Sequence, residues 1–530
     1  MYTIAHLAAY FTLVYRQFKI LTIQLTIGMR SFMLKSSNKL ALLGLSLASF
    51  LGLLDLTIVN TALPSIQQEF NSSVLQLQWV INSVLLALTT SMAVLAKLAD
   101  TYGRRLFLYL GLCLFGLASL GIGLSHNMSL LIGLRFLQGI AIALLYMAPL
   151  AIIPNVFPVE NQGKAMGFLV GISSFGLALG PAVGGILAST LGWRWIFWIN
   201  PPLALACWLC CWKTLKESKS TTAEPMDWRG FGLLLLSIPA LILAIIESQR
   251  LGLFSWPVIS LFVIALGGLV CLYRVEKKQP FPIIQFSLLK HPLFIIGLLA
   301  NISLAAFYAV DFFLIPLFLH FVKNYSASQI GFTLLPATLL VAILSPLAGR
   351  FADRHGPKIL LILGLFLLLV SALLQTQFNA HIASWLLFTA YGLLGVGWAC
   401  ILSPALAAAM ASVPADRSGV AAGMMGTTHN LGGSIGLALG SLIFTFGTKF
   451  NLSTAMQNLQ LPIGSWINEV ISNTDQGVAL LVQHTHLSQE KATALFTQAF
   501  LSGHQAALGF LALLMLIALG VSLLLRKKEF

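Results

Sequence analysis

Two ionisable side chains interrupt long apolar stretches of this 530-residue chain, and they are the residues best placed to do chemistry. Asp55 lies in a run that begins near residue 40, and Arg135 lies in a later run. A charge at the centre of a bilayer costs about 2.5–3.5 kcal/mol, so a chain that keeps one there usually uses it for protons, ions or cationic substrates. Because burial disfavours a charged carboxylate and a nearby cation favours it, Asp55 is the predicted proton-binding residue. The alternative is an acid that only hydrogen-bonds a neighbouring helix, and the sequence leaves open whether Arg135 reaches it.

A second acid, Asp311, lies in another apolar run between Tyr308 and Phe312. An acid among aromatic rings suits a bulky organic cation, through charge and cation–π attraction, so these three residues are predicted to bind substrate. A second proton carrier and a structural acid are the alternatives for Asp311. His429 and Asn430, in a later run, are further candidates for the substrate site. The imidazole can titrate near physiological pH, or it can simply hydrogen-bond a neighbouring helix.

The composition places these residues in a membrane. The chain is 58% hydrophobic and 9% charged, with a mean hydropathy of +0.90, whereas a soluble domain carries about 25% charged residues. Apolar runs near the length that a bilayer requires recur along the chain and predict an all-α, polytopic membrane protein. The fourteen predicted spans are 40–63, 78–98, 106–124, 128–152, 164–188, 195–212, 230–247, 256–273, 293–319, 328–349, 359–377, 384–410, 419–446 and 498–525.

The net charge of +14 fits this topology and does not indicate nucleic-acid binding. Lys and Arg accumulate in cytoplasmic connections of membrane proteins. If the N-terminus is cytoplasmic, most basic residues fall in cytoplasmic segments, Arg135 alone remains within a span, and both termini are predicted to be cytoplasmic. The basic residues predicted on the outer side are Arg194, Arg250, Lys323, Lys449 and Lys491.

An internal repeat predicts two halves. Ala99-Asp100-x-x-Gly103-Arg104 follows the second span, and Ala352-Asp353-Arg354-x-Gly356 follows the tenth, so the two aspartates are about 253 positions apart. Two six-helix bundles separated by a two-helix insert account for that distance, and duplicated bundles are a transporter architecture. The predicted divisions are an N-terminal extension at 1–39 (an interfacial helix or a start codon assigned too early), a first bundle at 40–213, an insert at 214–278, a second bundle at 279–525 with an external loop at 447–497 that contains helical stretches, and a cytoplasmic tail at 526–530.

Five motifs together resemble the major facilitator superfamily, in particular its fourteen-helix drug:proton antiporter branch (EmrB/QacA type). The resemblance covers about residues 40–525, and Ala96 stands where that family usually has glycine. The motifs are Leu54-Asp55-x-Thr57-Ile58-Val59-Asn60-x-Ala62-Leu63-Pro64, Ala96-Lys97-Leu98-Ala99-Asp100-x-x-Gly103-Arg104-Arg105, Leu131-x-x-x-Arg135-x-x-Gln138-Gly139, Gly171-x-x-x-x-Gly176-x-x-x-Gly180-Pro181-x-x-Gly184-Gly185 and Trp193-Arg194-Trp195-Ile196-Phe197-x-Ile199-Asn200-Pro201-Pro202.

The resemblance implies roles for several of these residues. Arg135 would transfer protons or link the first and fourth spans, with a structural ion pair as the alternative. The loop residues Asp100, Gly103 and Arg104, with Asp353 and Arg354 in the second half, would form contacts that change between conformations, or else simple turn contacts. The small residues of the fifth span permit close helix approach, and its proline removes a backbone hydrogen bond, so Gly176, Gly180, Pro181 and Gly184 are predicted to form an element of conformational gating.

The resulting prediction is a proton-coupled multidrug efflux antiporter in a bacterial-type inner (plasma) membrane. Some members of the branch that the chain resembles carry acids in the thirteenth span, whereas this chain has none between Gly419 and Phe446, so the resemblance favours monovalent amphiphilic cations as substrates. An exporter of a metabolite, siderophore, fatty acid or lipid, and a non-transporting sensor or scaffold, are the alternatives. No nucleophile–base set or metal-ligand set suggests an enzyme, so no catalytic residue, cofactor or metal ion is expected. The expected partners are the lipid bilayer, the substrates and, in a host with two membranes, a membrane-fusion adaptor protein.

Overall fold

A computed structural model describes residues 36–219, 227–279, 286–413, 418–464, 466–472 and 476–525. Over these ranges the chain is entirely helical, without a β-strand, and fourteen helices are long and apolar enough to cross a membrane. The predicted fold class is therefore confirmed. Most of the predicted N-terminal extension and all of the predicted tail lie outside the described residues, and the predicted domain boundaries stay predictions.

The first half contains six of the spanning helices. Polar caps fix where some of them begin: Ser73 and Gln76 form a reciprocal capping box at the start of α3, and the Asn127 side chain accepts a hydrogen bond at the start of α5. A 3₁₀ turn at Val59–Ala62 joins the first two helices. The helices are α1 (Ser36–Ile58), α2 (Leu63–Phe70), α3 (Val74–Tyr102), α4 (Arg104–Gly123), α5 (Met128–Val156), α6 (Val159–Thr190), α7 (Trp195–Trp198) and α8 (Asn200–Trp212).

Two helices of the insert, α9 (Trp228–Leu251) and α10 (Trp256–Glu276), pack against each other beside the two halves. Helix α9 contacts both α3 and a helix of the second half, whereas much of α10 is exposed, as suits a lipid-facing helix. The remaining spans form the second half. Its helices are α11 (Pro292–Phe321), α12 (Ala327–His355), α13 (Lys358–Gln375), α14 (Ser384–Met410), α15 (Ser418–Asn458) and α18 (Gln489–Leu524).

A small helical unit lies within the predicted external loop. The end of α15, the short helices α16 (Ile467–Ser472) and α17 (Gly477–Thr485), and the start of α18 share an apolar cluster of their own. The Gln476 amide donates a hydrogen bond of 3.3 Å to the Asn71 side chain, just after α2. This unit therefore contacts the first half at the ends of helices that the charge pattern predicts to be outside.

The two halves meet along two seams. Helix α6 packs along α12, and α3 packs along α15. Helix α6 also packs along α1, so it lies between the first helix of its own half and the facing helix of the other half.

Candidate transport site

Asp55 and Arg135 form a buried ion pair. Arg135 Nη1 donates to Asp55 Oδ2 at 2.5 Å; the Arg135 side chain is 1% exposed and that of Asp55 is 0% exposed. Arg135 Nε also donates to the Val80 carbonyl at 3.2 Å, which ties the pair to α3. An unpaired charge buried at this depth would be very costly, so each of the two residues stabilises the charged form of the other.

Neutral side chains from two further helices complete the coordination of the Asp55 carboxylate, and Ser119 on a third contacts both of them. Gln138 Nε2, one turn after Arg135, donates to Asp55 Oδ1 at 2.8 Å and to Ser119 Oγ at 2.9 Å. Asn200 Nδ2, at the start of α8, lies 3.4 Å from the same Asp55 oxygen and 3.2 Å from Ser119 Oγ. The carboxylate thus joins α1, α4, α5 and α8 in one hydrogen-bonded network.

A cavity at the interface of the two halves adjoins this network. Arg135 lines it and is the only charged residue that does so in the described part of the chain. The guanidinium therefore lies between the buried carboxylate and a small cavity that both halves line. The other lining residues are Leu56, Asn60, Ile81, Val84 and Leu85 from the first half and Tyr308, Ala309 and Phe312 from the second.

An aromatic cluster lies on the second half's side of the cavity: Tyr308 and Phe312 line the cavity, and Trp398 and His429, which do not line it, pack against them. Tyr308 stacks on Trp398, with ring centroids 5.2 Å apart, and on His429, at 5.9 Å. Phe312 meets Trp398 edge to face at 6.0 Å. His429 Nδ1 lies 2.9 Å from Asn301 Oδ1, which orients the imidazole. Tyr308 and Phe312 therefore give the cavity an aromatic wall that suits aromatic or cationic molecules.

Asn430 lies on the α3–α15 seam. Its side-chain nitrogen is 3.8 Å from the Met92 sulfur of the first half. It is buried and does not line the cavity, although it neighbours His429 in the aromatic cluster. Its predicted contact with substrate stays a prediction.

Asp311 points into the second half and does not line the cavity. It is 1% exposed, and Tyr391 Oη on α14 donates to its Oδ1 at 3.3 Å. Phe312, the next residue, does line the cavity, because successive residues of a helix are rotated by about 100°. A direct contact between Asp311 and substrate also stays a prediction.

The small residues of α6 pack on α1, within the first half. A Cβ on Gly176 would lie 2.6 Å from the Phe50 carbonyl oxygen, and one on Gly180 would overlap Thr57. A Cβ on Gly184 would likewise overlap the backbone of α1. Pro181 lies on the other side of α6, where its carbonyl approaches Gly331 of α12. The motif therefore lets α6 fit closely between α1 and the opposite half.

The seam between α6 and α12 is closed at one end. Thr338 Oγ1 donates to the Ala178 carbonyl at 2.8 Å, and Ser328 Oγ donates to Ser189 Oγ at 2.7 Å. Both bonds lie in the part of the seam nearer to the predicted outer ends of the helices. Towards the opposite ends, Val170 on α6 and Leu347 on α12 are about half exposed.

The loop carrying the repeated acidic motif makes local contacts. Arg104 Nε donates to Asp100 at 2.6 Å, and its Nη1 donates to the Ala151 carbonyl at 3.0 Å. Gly103 has a φ of +137°, which a residue with a side chain rarely adopts, and the Glu217 carboxylate lies against it. In the second half, Asp353 and Arg354 are both exposed, and the structure records no ion pair for either among the described residues.

The sequence indicates the charges of this site and the lining residues Tyr308 and Phe312, but not the neutral hydrogen-bonding partners of the two acids. Gln138 and Asn200 belong to two of the five family motifs, so the motifs could have indicated them as site residues. Ser119, Trp398 and Tyr391 carry no such signal, because serines and aromatic residues are common in membrane helices and only tertiary packing selects these three.

With this geometry in place, comparison with known proteins gives the family. A model of the Major Facilitator Superfamily matches residues 45–437, and the chain belongs to that superfamily. It is an integral membrane protein of a transporter family. A crystal structure described as a bacterial homolog to human lysosomal transporter Spinster, in an inward-facing and unoccupied conformation, has a TM-score of 0.64 at 15% identity and covers 94% of this chain and 100% of that one. This likeness shows the fold alone.

Sequence relatives carry transporter names. The chain is 31% identical over 481 residues to "Multidrug resistance protein Stp" of Mycobacterium tuberculosis, covering 88% of each chain. It is 28% identical to "Drug efflux pump JefA" of the same species, covering 90% of this chain and 96% of that one. It is also 28% identical to "Riboflavin transporter RibZ" of Clostridioides difficile, covering 79% of this chain and 91% of that one.

Proposed function

We propose that this protein exports amphiphilic, monovalent cations in exchange for protons, as a member of the fourteen-helix drug:proton antiporter branch. The observation that carries the proposal is the position of Arg135, which pairs with the buried Asp55 and also lines the cavity between the halves. The names of the relatives Stp and JefA support multidrug export as the activity. No cofactor is needed, because a proton gradient supplies the energy.

The ion pair supplies a physical reason for antiport. While Asp55 is ionised, the pair is neutral overall, and the aromatic wall can accept a cation. When Asp55 binds a proton, the Arg135 guanidinium loses its counter-charge and repels a cation in the adjoining cavity. A proton and a cationic substrate therefore exclude each other, which is the thermodynamic requirement for exchange.

The neutral hydrogen-bonding partners keep this switch local. Gln138 and Asn200 can remain beside the carboxyl group in either protonation state, because an amide can donate to a carboxylate or accept from a carboxylic acid. The side chains then need little rearrangement when the proton arrives. The main effect of protonation is then the loss of the counter-charge of Arg135, which changes the electrostatic potential in the cavity.

The closed seam supports a cytoplasm-open state for the described conformation. Bonds such as Ser189–Ser328 join α6 and α12 near their predicted outer ends. The distribution of Lys and Arg supports cytoplasmic exposure of the opposite ends, with both termini on that side of an inner membrane. Alternating access then requires the Ser189–Ser328 end to open and the opposite end to close.

A second candidate is export of a flat aromatic metabolite. The stacked rings of Tyr308, Trp398 and His429 favour it, as does the name of the relative RibZ. Such a substrate would stack on this wall and would not need to be cationic. The proton site would be the same for both candidates, which differ only in what occupies the cavity.

Transport by purified protein in liposomes tests the proposal. An acidic interior should drive accumulation of tetraphenylphosphonium, and an ionophore that collapses the proton gradient should abolish it. Accumulation that survives collapse of the gradient would contradict proton coupling. Gradient-driven accumulation of riboflavin without any accumulation of lipophilic cations would support the second candidate instead.

A further inference from the structure

Asp311 is a buried acid that the proposed exchange at Asp55 does not use. Its Oδ1 accepts one hydrogen bond of 3.3 Å from Tyr391, and its Oδ2 has no hydrogen-bond partner among the described residues, although the Gln375 side chain faces the carboxyl group. Asp55, by contrast, has a guanidinium and two amides around it. An ionised carboxylate with so few donors in a buried site is costly, so this environment holds the neutral acid.

The internal repeat relates the two acids. Asp100 and Asp353 are 253 positions apart, and the same offset makes Tyr391 the equivalent of Gln138. Gln138 donates to Asp55, and Tyr391 donates to Asp311. The same offset makes Tyr308 the equivalent of Asp55, so Asp311 lies one helical turn after the equivalent position. Each half thus positions an acid on its first helix against a hydrogen-bond donor on its fourth. The second half repeats the proton site of the first without its arginine.

The surroundings of Asp311 contain few other ionisable groups. Of the helices packed against α11, α14 presents the Tyr391 phenol and α13 presents the neutral Gln375 amide. On α15 His429 lies beside Tyr308, and on α18 His504 stacks on Phe318, with ring centroids 5.0 Å apart. The structure records no Lys or Arg in an ion pair with Asp311 within the described ranges.

From these relationships we infer that Asp311 is a second proton-binding site, which releases its proton when a cation binds beside the Tyr308–Phe312 wall. The inference rests on the proposed function. The O–H bond of the carboxylic acid breaks, the proton passes to a water molecule that reaches the carboxyl group during the transport cycle, and the electron pair stays on the carboxylate. The new negative charge lies one residue from Phe312, close enough to stabilise the bound cation through a low-dielectric wall. Asp311 would then set both the proton stoichiometry and the preference for cations.

Proton release on substrate binding tests the second site. The purified full-length protein is mixed with tetraphenylphosphonium in weakly buffered detergent solution, and a pH-sensitive dye reports the protons released per cation bound. The parent should release about one proton more than Asp311→Asn, and Asp311→Glu, which keeps the acid, should restore the release. Thermal unfolding of each variant confirms that it is folded.

The outcomes separate this inference from the proposed function. If the parent releases no proton at any pH, including an acidic pH at which Asp55 is protonated before the cation is added, proton coupling itself is contradicted. If the parent releases protons and Asp311→Asn releases the same number, only the second site is contradicted. Should Asp311→Asn fail to fold, Tyr391→Phe serves instead, because removal of its hydroxyl must change the pH at which release occurs. An unchanged pH profile in a folded Tyr391→Phe variant would overturn the assignment.

Discussion

Arg135 donates to Asp55 across the interface between α5 and α1, and both side chains are almost wholly removed from solvent. This contact joins the two most costly charges of the sequence in one pair. It also gives Arg135 two neighbours of different kinds, a carboxylate on one side and the cavity on the other. The proposed exchange of a proton for a cation depends on that double contact.

The α6 glycines yield a prediction with a control on the same helix. Gly180→Ala should lower the free energy of unfolding by about 1–3 kcal/mol, because its Cβ would overlap Thr57 of α1. Gly171→Ala should be neutral or slightly stabilising, since nothing lies within 4 Å of its added Cβ. Thermal or denaturant unfolding in detergent measures the difference, and equal stabilities would contradict the close packing of α6 on α1.

Cross-linking tests whether the seam must open. The Ser189 and Ser328 hydroxyl oxygens are 2.7 Å apart, so a Ser189→Cys, Ser328→Cys double variant should form a disulfide. Because the bond would hold α6 to α12 at the closed end, oxidised protein should lose transport and reduced protein should regain it. Each single variant is the control. Full transport by the completely cross-linked protein would contradict alternating access through this seam.

The two copies of the loop motif can be compared directly. Asp100→Asn should reduce the transport rate about 10-fold with little loss of stability, since an exposed ion pair contributes only about 0.2–1 kcal/mol but holds Arg104 beside Ala151. The matched variant Asp353→Asn should have the smaller effect, because the structure records no ion pair for Asp353. Initial rates in liposomes measure both effects. A larger loss of transport in Asp353→Asn would contradict the prediction that Asp100 is the more important of the two residues.

The sequence predicted the fourteen spans because apolar length alone decides whether a helix can cross a membrane. It also singled out Asp55 and Arg135, since two isolated charges in apolar runs are each costly unless paired. It did not predict the directions of side chains around a helix. Asp311 and Phe312 are neighbours in sequence but face the interior of the second half and the cavity, respectively, because the packing of α13 and α14 determines which side is buried.

The partners of the proton site illustrate the same limit. Ser119 and Asn200 contribute to the Asp55 network only because α4 and α8 bring them together. Short polar side chains occur in many membrane helices, and many of them hydrogen-bond to the backbone of their own helix, so their presence does not indicate a site. Likewise, the α6 glycines predicted a close helix approach, whereas their contact with α1 follows from the tertiary arrangement.

The most direct test of the account measures uphill and downhill transport by Asp55→Asn in the same liposomes. The variant should not accumulate labelled tetraphenylphosphonium in response to a proton gradient, because the amide cannot carry the proton. It should also exchange the cation more slowly than the parent, because the amide leaves the Arg135 guanidinium without its counter-charge beside the cavity. Glu247→Gln, which removes the carboxylate of the Glu247–Arg250 pair on α9, is the control and should accumulate the cation as the parent does. Gradient-driven accumulation by Asp55→Asn at the parent rate would contradict the assignment of proton coupling to the Asp55–Arg135 pair.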